Sequence, residues 1–229
     1  NVAAGYSALY SNTTGEYNTA MGLAAMLRNT TGDNNVAIGR TALEENTTTD
    51  GNVAIGYEAG DSYSGGSYNT FIGYGTDVPG TGYTNATAIG NGAIVNSSNK
   101  IRMGNTFITS FESQVSLSVS SDKRLKKDIE DIKYGLETVL KMRPVSYELK
   151  INELKQVGFV AQDMQKLVPE VVTGIEGDLE KGESLAITYS NLAPVLAKAI
   201  QEQQATIVSQ QTMIQQLQND LRALQERIK

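Results

Sequence analysis

The sequence predicts a mixed fibrous trimer: an all-β solenoid or β-roll stalk at the N-terminal end, then an α+β domain, then a trimeric coiled coil at the C-terminal end. Three observations lead to this fold class. A glycine recurs every seventeen residues in the first part of the chain, most charged residues follow position 120, and a heptad of apolar residues runs to the end. A fixed repeat period is the sequence signature of a solenoid, and a sustained heptad is that of a coiled coil.

The seventeen-residue repeat occupies residues 1–100. Its glycines are Gly5, Gly22, Gly39, Gly56, Gly73 and Gly90, and its asparagines are Asn1, Asn18, Asn35, Asn52 and Asn69. Short apolar stretches alternate with turn sequences such as Asn12-Thr13-Thr14-Gly15. Asn and Gly tolerate the positive φ values of tight corners, so we predict one coil of a solenoid per repeat.

The apolar residues of the repeat are mostly Ala, Val and Ile. These side chains are too small to fill a wide interior, so we expect several chains to share the core of the stalk. Tyrosines are expected at its surface, at Tyr6, Tyr57, Tyr63, Tyr68, Tyr74 and Tyr83. They lead to two alternatives: a spacer without a ligand site, or a surface that contacts a glycan or a protein of a host cell.

The stalk resembles the head repeats of trimeric autotransporter adhesins. Asn35-Val36-Ala37-Ile38-Gly39 and Asn52-Val53-Ala54-Ile55-Gly56 carry this resemblance. It implies a trimeric, left-handed β-roll, although the usual repeat unit of that family is shorter.

Residues 192–229 carry the heptad. Its first apolar position is Ala193, Ile200, Ile207, Ile214, Leu221 and Ile228, and its second is Leu196, Gln203, Gln210, Leu217 and Leu224. Isoleucine at the first position with glutamine at the second fits a trimer, in which polar side chains meet around the axis and fix the register.

The composition excludes several kinds of catalysis and binding. The chain has 229 residues, a formal net charge of −6, no histidine and no cysteine. Without histidine or cysteine, Ser-His and Cys-His catalysis are excluded, and we expect no cofactor and no metal site. Without a basic stripe, binding to nucleic acid is not expected. No apolar run reaches the roughly 20 residues of a membrane span, so membrane insertion is not expected either.

The junction between stalk and heptad contains Ser121-Asp122-Lys123-Arg124-Leu125-Lys126, followed by Val157-Gly158-Phe159-Val160-Ala161-Gln162-Asp163 and Pro169-Glu170-Val171-Val172. In order and spacing, residues 120–215 resemble the S74 peptidase family, intramolecular chaperone domains that end many phage tail fibres and tailspikes. A related domain occurs in a regulatory factor of animals. The resemblance implies a chaperone domain that cleaves its own chain just before the serine of this motif.

The resemblance makes Ser121 the nucleophile, Lys126 the base, and the Ser120–Ser121 bond the cleaved one, with Asp122 and Arg124 in supporting positions. A lysine acts as a base only when neutral, and burial and nearby positive charge favour the neutral amine. Residues five apart on an ideal helix lie about 140° apart around its axis, so Ser121 must precede any helix or Lys126 must act on a neighbouring chain. Alternatively, residues 120–122 only cap a basic helix.

We therefore predict four regions: the stalk at 1–100, a connection at 101–120, an autopeptidase core at 121–191 and the coiled coil at 192–229. The predicted function is a homotrimeric, self-cleaving tail fibre or tailspike, assembled in the host cytoplasm and located in the virion. Whether the cleaved C-terminal piece is released stays open. The alternatives are a bacterial surface adhesin or receptor-binding module with a non-cleaving trimeric cap, and a membrane-bound transcription factor like the animal relative.

Overall fold

The computed structural model describes residues 1–62, 65–150, 153–179 and 183–228. The chain forms two compact units, Asn1–Glu112 with Glu176–Ser184, and Ser113–Ile175 with Leu185–Lys229. The first unit contains a β-solenoid of about six turns, and the second ends in a long helix.

Seven short parallel strands form one sheet of the solenoid, in sequence order. They are β1 (Val2–Ala4), β2 (Thr19–Met21), β3 (Val36–Ile38), β4 (Val53–Ile55), β5 (Thr70–Ile72), β6 (Thr87–Ile89) and β7 (Ile101–Met103). Five steps pair residues seventeen apart, as the repeat predicts. The last step is shorter, since Ile89 pairs with Met103. Strand β7 lies outside the seventeen-residue spacing, so the repeat does not predict it. Because β7 belongs to the same sheet, the solenoid continues past residue 100, the end predicted for the stalk.

The glycine column marks a corner at which successive coils approach closely. Gly39 has a φ of +139°, a backbone region that L side chains rarely adopt. A Cβ atom placed there would overlap the backbone carbonyl oxygen of Gly56 in the next coil. Both the backbone conformation and the close approach of the coils require glycine at this position.

The core of the solenoid is closed by a single chain. The middle residue of each strand from β2 to β6 points inward: Ala20, Ala37, Ala54, Phe71 and Ala88 are fully buried. Leu9, Met26 and Leu43 belong to the same buried cluster and extend into it from backbone positions with positive φ. The Val and Ile residues that flank each middle residue are not part of this core. Other chains are therefore not needed to close it, and the sharing of apolar residues between chains stays a prediction.

Side-chain volume is balanced between neighbouring coils. Phe71 occupies a position that is alanine in strands β2, β3, β4 and β6. Gly60 occupies the position of Leu9, Met26 and Leu43, and a Cβ atom on it would lie 2.8 Å from the Phe71 ring. The missing side chain at residue 60 therefore makes room for the larger one at residue 71.

A ladder of buried asparagines runs along the solenoid. The Asn18 Oδ1 atom accepts a hydrogen bond of 2.9 Å from the backbone N–H of Asn35, and Asn35 accepts one of 2.9 Å from that of Asn52. The Asn18 amide also donates to the Gly32 carbonyl at 2.7 Å. Each asparagine thus satisfies buried backbone groups of the next coil, which explains why a polar residue recurs in the interior.

The second unit packs small elements around one apolar cluster. Its elements are α1 (Leu136–Lys141), β8 (Val145–Glu148), β9 (Lys155–Gly158), α2 (Ala161–Leu167), β10 (Val172–Gly174), β11 (Leu185–Ile187) and α3 (Ala193–Ile228). The strands form two antiparallel pairs, β8 with β9 and β10 with β11. The cluster is built on Met164, Val168, Val171, Leu192 and Val195.

Helix α3 has 36 residues, about 54 Å of helix. Its first turns are anchored: Val195 and Ala199 are buried, and the Glu202 carboxylate accepts a 2.7 Å hydrogen bond from the backbone N–H of Leu136, at the start of α1. Beyond Glu202 the helix is exposed on all sides. The helix is confirmed, and its assembly into a trimer stays a prediction. No helix among the described residues is both long and apolar enough to cross a membrane.

Candidate functional site

The junction motif folds into a single turn of 3-10 helix over Lys123–Leu125. Asp122 precedes the turn in an extended conformation, and its carboxylate accepts a 2.8 Å hydrogen bond from the backbone N–H of Arg124. Lys126 ends the turn by donating its backbone N–H to the Lys123 carbonyl and then continues in an extended conformation. Asp122 therefore caps the 3-10 turn, which is the role that the sequence allows for residues 120–122.

This turn brings Ser121 and Lys126 together. The Lys126 Nζ atom donates a hydrogen bond of 2.7 Å to the Ser121 Oγ atom. The two residues flank a tight turn, so the separation of 140° that an ideal helix would impose does not apply. Ser121 thus lies ahead of the helical turn, and its contact with Lys126 forms within one chain; whether Lys126 acts on its own or on a neighbouring chain stays open.

Arg124 is engaged by Asp122. Its Nη2 atom lies 2.7 Å from Oδ2, and its Nε atom lies 3.1 Å from Oδ1. These hydrogen bonds lower the pKa of the Asp122 carboxyl and raise the pKa of the Arg124 guanidinium.

Every residue from Ser120 to Lys127 is exposed in the chain. The bond between Ser120 and Ser121 lies in a segment without regular secondary structure. The burial that would favour a neutral lysine is therefore not supplied within one chain. Among the described residues, no group of three or more acidic side chains is arranged to hold a metal ion.

The predicted surface tyrosines differ in their environments. Tyr6, Tyr68 and Tyr74 are exposed, whereas Tyr83 packs against the core of the solenoid. Tyr63 lies outside the described residues. The clearest feature is a stack on the outside of the solenoid, formed by Tyr57 and Tyr74.

The two rings of this stack are 5.2 Å apart and nearly parallel, and the Arg40 guanidinium lies 5.3 Å from the Tyr57 ring centre. The seventeen-residue period brings these three residues together, because each occupies the same position in successive coils.

Two apolar surfaces are not covered by any part of the chain that the structure describes. Along the outer face of the strands run Met21, Ile38, Ile55 and Ile72, each about 40% exposed. The heptad isoleucines and leucines of α3 are also exposed. The heptad was evident from the sequence, but the outward direction of the strand residues was not, because strands of three residues are too short to show which positions face inward.

Comparison with known proteins agrees with the predicted resemblance. Residues 121–173 match the Peptidase_S74 family, described as chaperone of endosialidase. The match begins at the serine that forms the contact with Lys126. These residues therefore carry a domain of the Peptidase_S74 family.

Two relatives are phage proteins. The long tail fiber protein Gp37 of Enterobacteria phage M1 and that of Enterobacteria phage Ox2 are each 35% identical to the chain over 92 residues. The aligned region is 37% of this chain and 36% of each relative. The chain thus spans about a third of the length of the curated relatives it matches.

Proposed function

We propose that the chain is the assembly end of a trimeric, tail fibre-like protein of a phage virion, and that it cuts itself between Ser120 and Ser121. The observation that carries this proposal is the 2.7 Å contact between Lys126 Nζ and Ser121 Oγ, at the first residue of the Peptidase_S74 match. With no histidine and no cysteine in the sequence, lysine is the side chain available to activate this hydroxyl.

The chemistry is an acyl transfer within the chain. Neutral Lys126 accepts the hydroxyl proton while Ser121 Oγ bonds to the carbonyl carbon of Ser120. The C–N bond then breaks, and the nitrogen of Ser121 receives the proton from Lys126. Water hydrolyses the resulting ester, which leaves a carboxylate on Ser120 and a free amine and hydroxyl on Ser121.

Trimerisation is supported by the two exposed apolar surfaces. Burying apolar area is worth about 25 cal/mol per Å², and an isoleucine row along a long helix is costly to leave in water. In a closed threefold assembly, the same residue of each chain meets its counterparts at one level of the axis. The heptad glutamines Gln203 and Gln210 then become polar layers that specify the register of the helices.

The proposed role of the C-terminal part is that of a folding template. Association of three copies of α3 raises the effective concentration of the stalks for one another. Parallel strand pairing between distant coils is slow and exposes unpaired edges, so a template reduces aggregation. Cleavage would then leave a stalk that is kinetically stable because its template is gone.

Denaturing mass spectrometry of the purified chain tests the cleavage. Wild type should give two pieces, residues 1–120 and 121–229. Ser121→Ala removes the nucleophile and Lys126→Ala removes the base, and each should leave an intact chain that still forms trimers in sedimentation. Lys123→Ala is the matched control: it removes a lysine from the same turn and leaves the Ser121–Lys126 contact, so cleavage should persist. Cleavage of Ser121→Ala, or a cut at another bond, contradicts the mechanism.

A second candidate function, a receptor-binding module with a non-cleaving cap, is favoured by the Tyr57–Tyr74 stack. Exposed aromatic rings can contact a sugar ring or an apolar side chain of a host-surface glycan or protein. The double variant Tyr57→Ala/Tyr74→Ala should reduce binding to host cells, while Tyr10→Ala, elsewhere on the solenoid, should not. An uncut wild-type trimer that binds cells through this stack would favour the second candidate over the first.

A further inference from the structure

Residues 113–120 directly precede the proposed cleavage site and read Ser-Gln-Val-Ser-Leu-Ser-Val-Ser. From Val115 onward, apolar residues alternate strictly with serine. Such alternation is typical of a β-strand with one buried face and one solvated face. The segment nevertheless has no strand structure in the chain, and Val115, Leu117 and Val119 are 75%, 85% and 80% exposed.

A single strand of this kind is not stable alone, because its apolar face needs a cover. The backbone of residues 116–120 has no strand partner in the described structure. Locally, the Ser113 hydroxyl donates to the Val115 carbonyl at 2.7 Å and accepts from the Val115 backbone N–H at 3.3 Å. The described residues therefore offer this segment no strand partner and no cover for its apolar side chains.

We propose that residues 114–120 become a β-strand only in the trimer, by association with the same segment of the two other copies. Val115, Leu117 and Val119 of the three copies then face one another across the axis, and the serines face solvent. This inference rests on the proposed trimer and specifies how assembly completes the cleavage site.

The choice of further copies as partners follows from α3, which belongs to the same compact unit as this segment. Its exposed heptad requires copies of the same helix around an axis. Threefold symmetry makes all chains run in one direction and places identical residues at the same level. A narrow stripe of three apolar residues, each of which meets its own counterpart, fits such an axis.

The consequence for cleavage is direct. The last residue of the segment is Ser120, whose carbonyl carbon is the atom to be attacked. In the single chain, this carbonyl lies in an exposed segment without a regular conformation. Strand formation in the trimer would fix its position relative to Ser121 Oγ and shield one side of the site from water.

Cysteine cross-linking tests the proposal cleanly, because the chain contains no cysteine. In the full chain with Ser121→Ala, which keeps both sides of the site in one polypeptide, single cysteines replace residues 115 to 119 in turn. A disulfide requires Cα atoms within about 4.4–6.8 Å, so only residues that face the axis should cross-link between copies under mild oxidation. Val115→Cys, Leu117→Cys and Val119→Cys should form covalent dimers, and Ser116→Cys and Ser118→Cys should not.

Ile207→Cys on α3 is the control that reports the trimer itself. Cross-links at position 207 without alternation across 115–119 overturn the strand proposal and leave the trimer intact. Absence of cross-links at all positions, including 207, overturns the trimer and this inference with it. As an independent readout in the cleavable chain, Leu117→Ser should lower the fraction cut at a fixed time while trimers persist, and Ser118→Thr should not; equal cutting in both variants also overturns it.

Discussion

Asp77 is a buried carboxylate in the interior of the solenoid. It takes the position that Leu9, Met26 and Leu43 fill in earlier coils and is only 8% exposed. Burial raises the pKa of its carboxyl from 3.8 to about 6, against the opposing effect of hydrogen bonds from the Val78 backbone and from Ser62. We expect this residue to make the stability of the stalk depend on pH.

The pH dependence of the unfolding free energy follows from the difference in proton binding between the folded and unfolded chains. Because the pKa is raised in the folded state, the folded chain holds the proton more tightly than the unfolded chain does. Protonation of Asp77 therefore stabilises the folded chain. This contribution is present in full below pH 3.8, is lost as the pH rises through about 6, and is absent at pH 7. A shift of about two units corresponds to about 3 kcal/mol of unfolding free energy. Asp77→Asn, which stays neutral, should therefore be about 3 kcal/mol more stable than wild type at pH 7.5 and nearly equal to it at pH 4.

Urea unfolding of the uncut Ser121→Ala chain, followed by far-ultraviolet circular dichroism between pH 4 and pH 8, measures this difference. Asp220→Asn on α3, which removes an exposed carboxylate, is the matched control and should change stability by less than about 0.5 kcal/mol at every pH. A gain from Asp77→Asn that is the same at pH 4 and pH 7.5, or no gain at all, would refute the argument.

Three further predictions concern the corner, the core and the junction. Gly39→Val places a side chain against the next coil at positive φ, so its soluble yield should fall well below that of Tyr57→Ala on the outer surface; equal yields would contradict the role of the corner. Phe71→Ala opens a cavity beside a glycine and should lower the unfolding free energy by about 3–5 kcal/mol in urea titrations; a loss below about 1 kcal/mol would contradict the packing of Phe71 against Gly60. Arg124→Ala removes the side chain that holds the Asp122 carboxylate at the start of the turn. The turn between Ser121 and Lys126 should become less well ordered, so that cleavage, measured by mass spectrometry, slows without stopping; complete loss would give Arg124 a direct part in the chemistry.

The period of the solenoid could be predicted from the sequence because its physical cause is local. Only glycine fits the corner at which successive coils approach, so a glycine appears in the sequence once in every repeat. The asparagine column is equally visible, but its burial is not. In the sequence, an asparagine in an exposed turn cannot be distinguished from a buried asparagine in a ladder. The difference lies in the hydrogen bonds to backbone groups of the neighbouring coil, which only the structure shows.

The direction of the strand side chains could not be predicted in the same way. Val36-Ala37-Ile38 is apolar at all three positions, so the pattern does not show which face is inside. The structure places alanine inward and Val36 and Ile38 outward. Small residues then suffice for the core of one chain, and the larger aliphatic residues are left for a surface that further copies can cover.

At the junction, the family resemblance implied that Ser121 and Lys126 act together, but it did not show the environment in which they meet. The contact forms within one exposed turn, so assembly is not needed to bring hydroxyl and amine together. If cleavage waits for assembly, the controlled quantities are the protonation of the lysine and the position of the Ser120 carbonyl. Both depend on what surrounds the turn. If the proposed cleavage occurs, we therefore expect its control to lie in the segment 114–120 and in the neighbouring copies, and not in the contact between Ser121 and Lys126.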